Sequence, residues 1–198
     1  MTGRVRTAIL ISGRGSNMSA LIEAARQPEF SAEFVLVLSD NEGAAGLHLA
    51  RASGVRAEGL EYRSFAGKAD FEAELDRRLI GAGVELICLA GFMRILSAKF
   101  VEKWRGRILN IHPSLLPDLK GLNTHERALA ESRSQHGCTV HHVSAEVDEG
   151  PIIAQATVPV LPEDDAASLA ARVLVEEHRI YPRALDAVAR MLRTEGGA

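Results

Sequence analysis

Short apolar runs alternate with stretches of helical period along most of the chain. Val5 to Ile11 predicts a first strand, and Met18, Leu21, Ile22 and Ala25 predict the helix after it. Phe34 to Leu38 is a second apolar run, closed by Ser39, Asp40 and Asn41. A short helix through Leu47 and Ala50 should stop at Gly54, followed by a brief strand from Val55 to Leu60 and a loop over 61–67. Phe71, Leu75, Leu79 and Ala82 share one face of a helix over 68–82, and Val84 to Ala90 reads as a fully apolar fourth strand. Ser97 is placed to cap a short helix carrying Phe100, Val101 and Trp104, after which Ile108 to His112 forms a fifth strand. Thr124 is placed to cap a helix with Ala128 and Leu129, and strands follow over 137–143 and 151–160. Asp165 opens a long helix with an apolar stripe from Leu169 to Leu192. Pro182 lies inside it, where a kink or break is expected, and Glu195 to Ala198 should fray.

Strands alternating with helices predict an α/β fold: a Rossmann-like, mostly parallel twisted sheet with helices on both faces. No repeat, low-complexity tract or linker interrupts the pattern. The 198 residues suit a single domain, with an N-terminal half of about 1–105 and a C-terminal half of about 106–198. A formal net charge of −3 gives no electrostatic footprint for nucleic acid or an anionic membrane as main partner. The two cysteines, Cys88 and Cys138, sit far apart in apolar runs without zinc or redox spacing, so buried free thiols in a reducing cytosol are expected. The apolar run before Gly13 is too short for a secretory leader, and none approaches the ~20 residues a bilayer span needs. The expectation is a soluble, cytoplasmic protein.

Candidate chemistry concentrates at strand ends. Pro113 and Pro117 must stop the fifth strand near His112, because proline offers no N–H to a ladder. Asn110 and His112 are two apart, so both side chains point to the same side at the strand's carboxyl end, where ligands bind in open α/β sheets. An amide and an imidazolium can both donate to an oxygen that gains negative charge. The plainer alternative is that they satisfy loop backbone. Ser12-Gly-Arg-Gly-Ser-Asn17 follows the first strand and opens a helix, a geometry that aims backbone N–H groups at a phosphate. Arg14 adds charge there and Ser16 is placed as N-cap. The loop matches neither the dinucleotide fingerprint nor the P-loop, so it suits a phosphate monoester or a tight turn that merely needs glycine. Gly91-Phe-Met-Arg-Ile-Leu96 either lines a pocket for a flat aromatic ligand or packs beneath a helix. Asp148, in the turn Glu146-Val-Asp-Glu-Gly-Pro151, is either a third functional group or a solvated turn residue.

Taken together, these motifs resemble the phosphoribosylglycinamide formyltransferases, folate-dependent enzymes of purine biosynthesis. The resemblance runs from Ser12-Gly-Arg-Gly-Ser-Asn17 to Glu177-His-Arg-Ile-Tyr-Pro182 and includes His136-Gly-Cys-Thr-Val-His141. It implies Asn110, His112 and Asp148 as the catalytic trio. It implies Arg14, Gly15, Ser16 and Asn17 around the substrate's phosphate, with Glu177 holding the glycinamide end. The folate pocket it implies is lined by Met93, Arg94, Ile95 and Leu96, by Asn110, and by Ser144, Ala145, Glu146, Val147 and Asp148 on the pterin side, with Lys68 near the folate tail. Members of the family often carry arginine where Lys68 stands, and Asp118, Leu119, Lys120 and Asn123 also depart from the usual pattern of the mobile loop.

The implied reaction moves a formyl group from 10-formyltetrahydrofolate to the amine of glycinamide ribonucleotide, without a metal, in a monomer or homodimer. Asn110 and protonated His112 would hold the oxyanion, while Asp148 favours the imidazolium and takes the amine's proton through a water. Three rivals remain. A formyltetrahydrofolate hydrolase would be expected to bring an N-terminal regulatory domain, whereas this chain opens at its first strand. A methionyl-tRNA formyltransferase would be expected to add a C-terminal domain and a basic face. A non-catalytic phosphate-binding module would have no need of the trio.

Overall fold

The computed structural model describes residues 3–195. Seven strands form one sheet: β1 (Val5–Ile11), β2 (Ala32–Ser39), β3 (Ala57–Gly59), β4 (Leu86–Leu89), β5 (Ile108–His112), β6 (Gln135–His142) and β7 (Ile152–Pro159). Their order is β3-β2-β1-β4-β5-β6-β7, parallel from β3 to β5 and antiparallel in the last two pairings. The mostly parallel α/β sheet is therefore as expected, and this one sheet runs through both halves of the chain. The helices are α1 (Ser16–Ala24), α2 (Ala45–Ala52), α3 (Lys68–Gly81), α4 (Ala98–Lys103), α5 (Thr124–Ala130) and α6 (Ala166–Glu195).

Alternation along each strand divides the core into two layers. Ile9, Ile11, Leu109 and Ile111 pack with Met18 and Leu21 of α1 and with Leu169, Val173, Tyr181 and Leu185 of α6. Leu10, Ile87 and Ile108 face the other way, against Phe71, Leu75 and Leu79 of α3 and Phe100 of α4. Helices thus cover both faces. Tyr181 ties the α6 layer to the sheet: its buried hydroxyl lies 3.0 Å from Leu89 O and 3.2 Å from Leu109 O, bridging β4 and β5.

Several local boundaries differ from expectation. Val55 and Val84 are not in strands, because each closes the preceding helix. Their N–H groups donate to Ala50 O and Leu79 O, behind Gly54 at φ 80° and Gly83 at φ 64°. The 61–67 loop contains a 3-10 turn at Tyr62–Ser64. Ser97 caps α4 as expected, its hydroxyl accepting from Phe100 N. Ser16 and Thr124 do not cap their helices; Gly15 and Asn123 do, both left-handed, at φ 77° and 56°. Thr124 donates instead to Pro113 O at 2.6 Å and ties α5 to the end of β5. Pro182 brings no break, since α6 continues through it with Tyr181, Ala184 and Leu185 buried on the sheet. Glu195 is that helix's last residue, and the rest of the segment expected to fray, 196–198, lies outside the described residues.

Candidate active site

β5 delivers Asn110 and His112 to the carboxyl edge of the sheet on one face, as the two-residue spacing requires. They line a cleft of about 510 Å³ together with Met93 to Leu96 and with Ser144 to Asp148. Gly121 to Glu126 and His141 also line it. Asp148 is held in a left-handed turn at φ 56°, which carries its carboxylate back toward β5. Its Oδ2 lies 3.4 Å from His112 Nδ1 and accepts the Gly121 N–H at 2.9 Å. His112 Nε2 lies 3.1 Å from Leu119 O. Both ring nitrogens of His112 therefore face acceptors, an arrangement that only the imidazolium satisfies completely.

His141 lines the cleft and contacts Asn110, and sequence reasoning gave it no role. It pairs with Asn110 across the β5–β6 ladder. Its Nδ1 lies 2.9 Å from His142 O, an acceptor, and so carries the proton. Burial lowers its pKa below the usual 6.5, leaving Nε2 bare as an acceptor. Asn110 Nδ2 stands 3.2 Å from that nitrogen. One amide hydrogen is thereby committed to His141, the amide's orientation is fixed, and the second hydrogen is left for the cleft. His141 closes a stretch that carries the family resemblance, but its pairing with Asn110 was not legible there, because register is a property of the folded sheet.

The glycine loop lies beside β1, at the start of α1. No side chain caps α1, which leaves its first N–H groups to an incoming anion. Arg14 is exposed and, among the described residues, has no hydrogen-bond or ion-pair partner. Glu177, buried on α6, accepts from Asn17 Nδ2 at 2.6 Å, and burial raises its pKa. Asn17 Oδ1 is buried without a partner. Glu177 and the loop thus form a second cluster outside the lining of the main cleft.

The cleft's apolar wall is fixed from behind. Arg94 Nε pairs with buried Asp40 at 2.6 Å, and its guanidinium lies 4.1 Å from the Tyr62 ring centroid. A side cavity of about 230 Å³ continues past Met93 to Leu96 and carries exposed Lys68 on its wall. The unusual residues of the 113–125 loop each have a place. Asp118 pairs with Arg133 at 2.5 Å, Leu119 is buried at φ 52°, and Lys120 pairs with Glu149 at 2.8 Å. Asn123 takes the left-handed cap position, which asparagine tolerates. Among the described residues, no group of three His, Cys, Asp or Glu is placed to hold a metal ion.

An amide, an imidazole and a carboxylate gathered at the sheet edge beside an apolar cleft make the equipment of an acyl-transfer site. The formyl transferase family model matches residues 5–185, and the chain belongs to that family. It is similar to phosphoribosylglycinamide formyltransferase of Escherichia coli (strain K12), at 42% identity over 174 residues, 88% of this chain and 82% of the relative. A crystal structure of phosphoribosylglycinamide formyltransferase from Brucella melitensis superimposes with a TM-score of 0.90 at 52% identity, covering 94% of this chain and 96% of that one. The chain is also 50% identical over 184 residues to trifunctional purine biosynthetic protein adenosine-3 of Drosophila melanogaster, covering 92% of its own length but 14% of that protein.

Proposed function

We propose that the chain is a phosphoribosylglycinamide formyltransferase, moving the formyl group of 10-formyltetrahydrofolate onto the amine of glycinamide ribonucleotide. The observation that carries this reading is the convergence of Asn110, His112 and Asp148 on one wall of the cleft. The cleft has the size and character for a flat aromatic ligand: mostly apolar, with a few polar groups on its wall. Met93 to Leu96, Asn110 and Ser144 to Asp148 line the folate's place. Lys68 in the side cavity is the cation for its tail, and Arg94, already paired with Asp40, serves through its backbone. The ribonucleotide's phosphate lies on Arg14, Gly15, Ser16 and Asn17, and Glu177, bonded to Asn17, holds the glycinamide end. The N-terminal half, about 1–105, therefore supplies the phosphate loop, and the C-terminal half supplies the trio within one domain. The reaction belongs in a reducing cytoplasm, where the buried thiols of Cys88 and Cys138 stay protonated, burial pushing both pKa values up to about 12.

In this mechanism the amine attacks the formyl carbon and the formyl oxygen becomes an oxyanion. The free N–H of Asn110 and the Nε2–H of His112 donate to it; one such donor is typically worth ~3–4 kcal/mol of barrier. Asp148 accepts the attacking nitrogen's proton through a water, and the folate nitrogen leaves once protonated. Leu119 O now occupies the position on Nε2 that the oxyanion needs, so the loop must withdraw this carbonyl as substrate enters. Thr124 anchors the loop's far end and Arg127 holds Lys120 O at 2.6 Å directly after Leu119, so the withdrawal is confined to the turn at Leu119.

Formyl-folate turnover measured with and without glycinamide ribonucleotide tests the reading. Tetrahydrofolate should form only when the amine is present and in equal amount to formylated product. Turnover that ignores the amine would instead mark a hydrolase.

A further inference from the structure

Ser12 joins two loops that the proposed reaction assigns to different substrates. It follows β1 and begins the glycine loop, yet its N–H and its hydroxyl both bond to the loop that lines the folate cleft. The Ser12 N–H donates to Gly91 O at 3.1 Å, and its Oγ accepts the Met93 N–H at 2.8 Å. The far end of that loop is anchored separately, Arg94 by Asp40 and Ser97 by Glu72, whose Oε1 accepts Ser97 N at 2.7 Å. Met93 and Ile95 are 66% and 65% exposed, so side-chain packing does not fix the backbone at these two positions. Phe92 and Leu96 are buried and hold the loop to the core, but the direction of the Met93 N–H is set by Ser12.

On the other side, Ser12 is set by the glycine loop that it opens. Gly13 O accepts from Gly46 N at 3.0 Å, and Gly15 is held at φ 77° with its Cα against Gly46. An anion settling on the N–H groups at the start of α1 would order this turn and with it the Ser12 hydroxyl. We propose that Ser12 is a positioning residue coupling the two substrate sites, transmitting order from the phosphate loop through the Met93 N–H to the backbone that receives the folate. The inference rests on the functional reading above for the identity of the two substrates. The coupling is reciprocal, each substrate tightening the other by the same factor. With one hydrogen bond as the link, that factor is roughly fivefold.

Initial rates over a matrix of 10-formyltetrahydrofolate and glycinamide ribonucleotide concentrations give the coupling factor for the wild type, Ser12→Ala and Ser12→Thr. The factor should be roughly fivefold in the wild type, fall to about one in Ser12→Ala, and return in Ser12→Thr, which keeps the hydroxyl. Amide hydrogen exchange over residues 91–96 supplies a readout without turnover. Adding the ribonucleotide alone should slow exchange in the wild type and in Ser12→Thr, and leave Ser12→Ala unchanged. A wild-type factor of one, or a Ser12→Ala chain that keeps the coupling, overturns the proposal. So does wild-type exchange that ignores the ribonucleotide, a test that holds even where Ser12→Ala does not fold. A wild type that turns over no formyl folate with this amine overturns the functional reading instead.

Discussion

Asp148 Oδ2 stands 3.4 Å from His112 Nδ1 while accepting the Gly121 N–H at 2.9 Å, so one carboxylate oxygen serves both the imidazole and the loop above it. Asp148→Asn removes the charge and keeps the backbone, because asparagine tolerates the φ of 56° found there. We expect kcat to fall roughly 10²–10³-fold with the thermal midpoint close to wild type. Combined with His112→Ala, the loss should be far smaller than the product of the two single losses, since the groups act as a unit. Steady-state kinetics on the three proteins check this.

His141 acts through Asn110. Substitution by phenylalanine keeps a buried ring but removes the acceptor that fixes the Asn110 amide. The expected result is a drop in kcat of roughly tenfold, the size of one misoriented hydrogen bond, with KM for both substrates little changed. Equal changes in kcat and both KM values would show that His141 only packs.

Much of the sheet was legible because β1, β2, β4 and β5 each carry a short apolar run, and β1, β4 and β5 are followed closely by glycine or proline. Asn110 and His112 could be paired from spacing alone, since alternation in a strand is local. Asp148 could not, because its approach depends on a left-handed turn and on the crossing from β6 to β7. The partner of His141 was hidden for the related reason that it is set by antiparallel register. The capping errors at Ser16 and Thr124 share another cause: glycine and asparagine in left-handed conformation preceded both helices, and propensity favoured the hydroxyl.

Gly15 tests the phosphate loop. A Cβ there would meet Met18 Cε at 3.0 Å and Gly46 Cα at 3.1 Å, at a φ that costs an L-residue about 1–2 kcal/mol. Gly15→Ala should raise the KM for glycinamide ribonucleotide several-fold and leave folate binding, measured alone by fluorescence or calorimetry, near wild type. Equal weakening of both ligands would mean that the first turn of α1 had collapsed.

His136 predicts a pH dependence of stability. Burial lowers its pKa from 6.5 to about 4, and its Nε2 lies 3.1 Å from His125 Nδ1. His125 is lowered in the same direction, again by burial. The unfolded chain thus binds protons that the folded chain refuses. The stabilisation is fully present above pH 6.5 and is lost as pH falls toward 4. Denaturant midpoints between pH 7 and pH 4 should drop in the wild type and drop less in His136→Asn. Parallel slopes in the two proteins would assign the acid loss to other groups.

The most direct test tracks the formyl group itself. Wild type and His112→Ala are mixed in single turnover with 10-formyltetrahydrofolate carrying a labelled formyl carbon and with glycinamide ribonucleotide, after the binding of each ligand has been measured separately. The label should appear on the ribonucleotide's amine at the rate tetrahydrofolate is released in the wild type. In His112→Ala both ligands should still bind while transfer slows by roughly 10²–10³-fold. Transfer at the wild-type rate in His112→Ala, or label released as free formate in the wild type, would contradict the assignment of this site to formyl transfer.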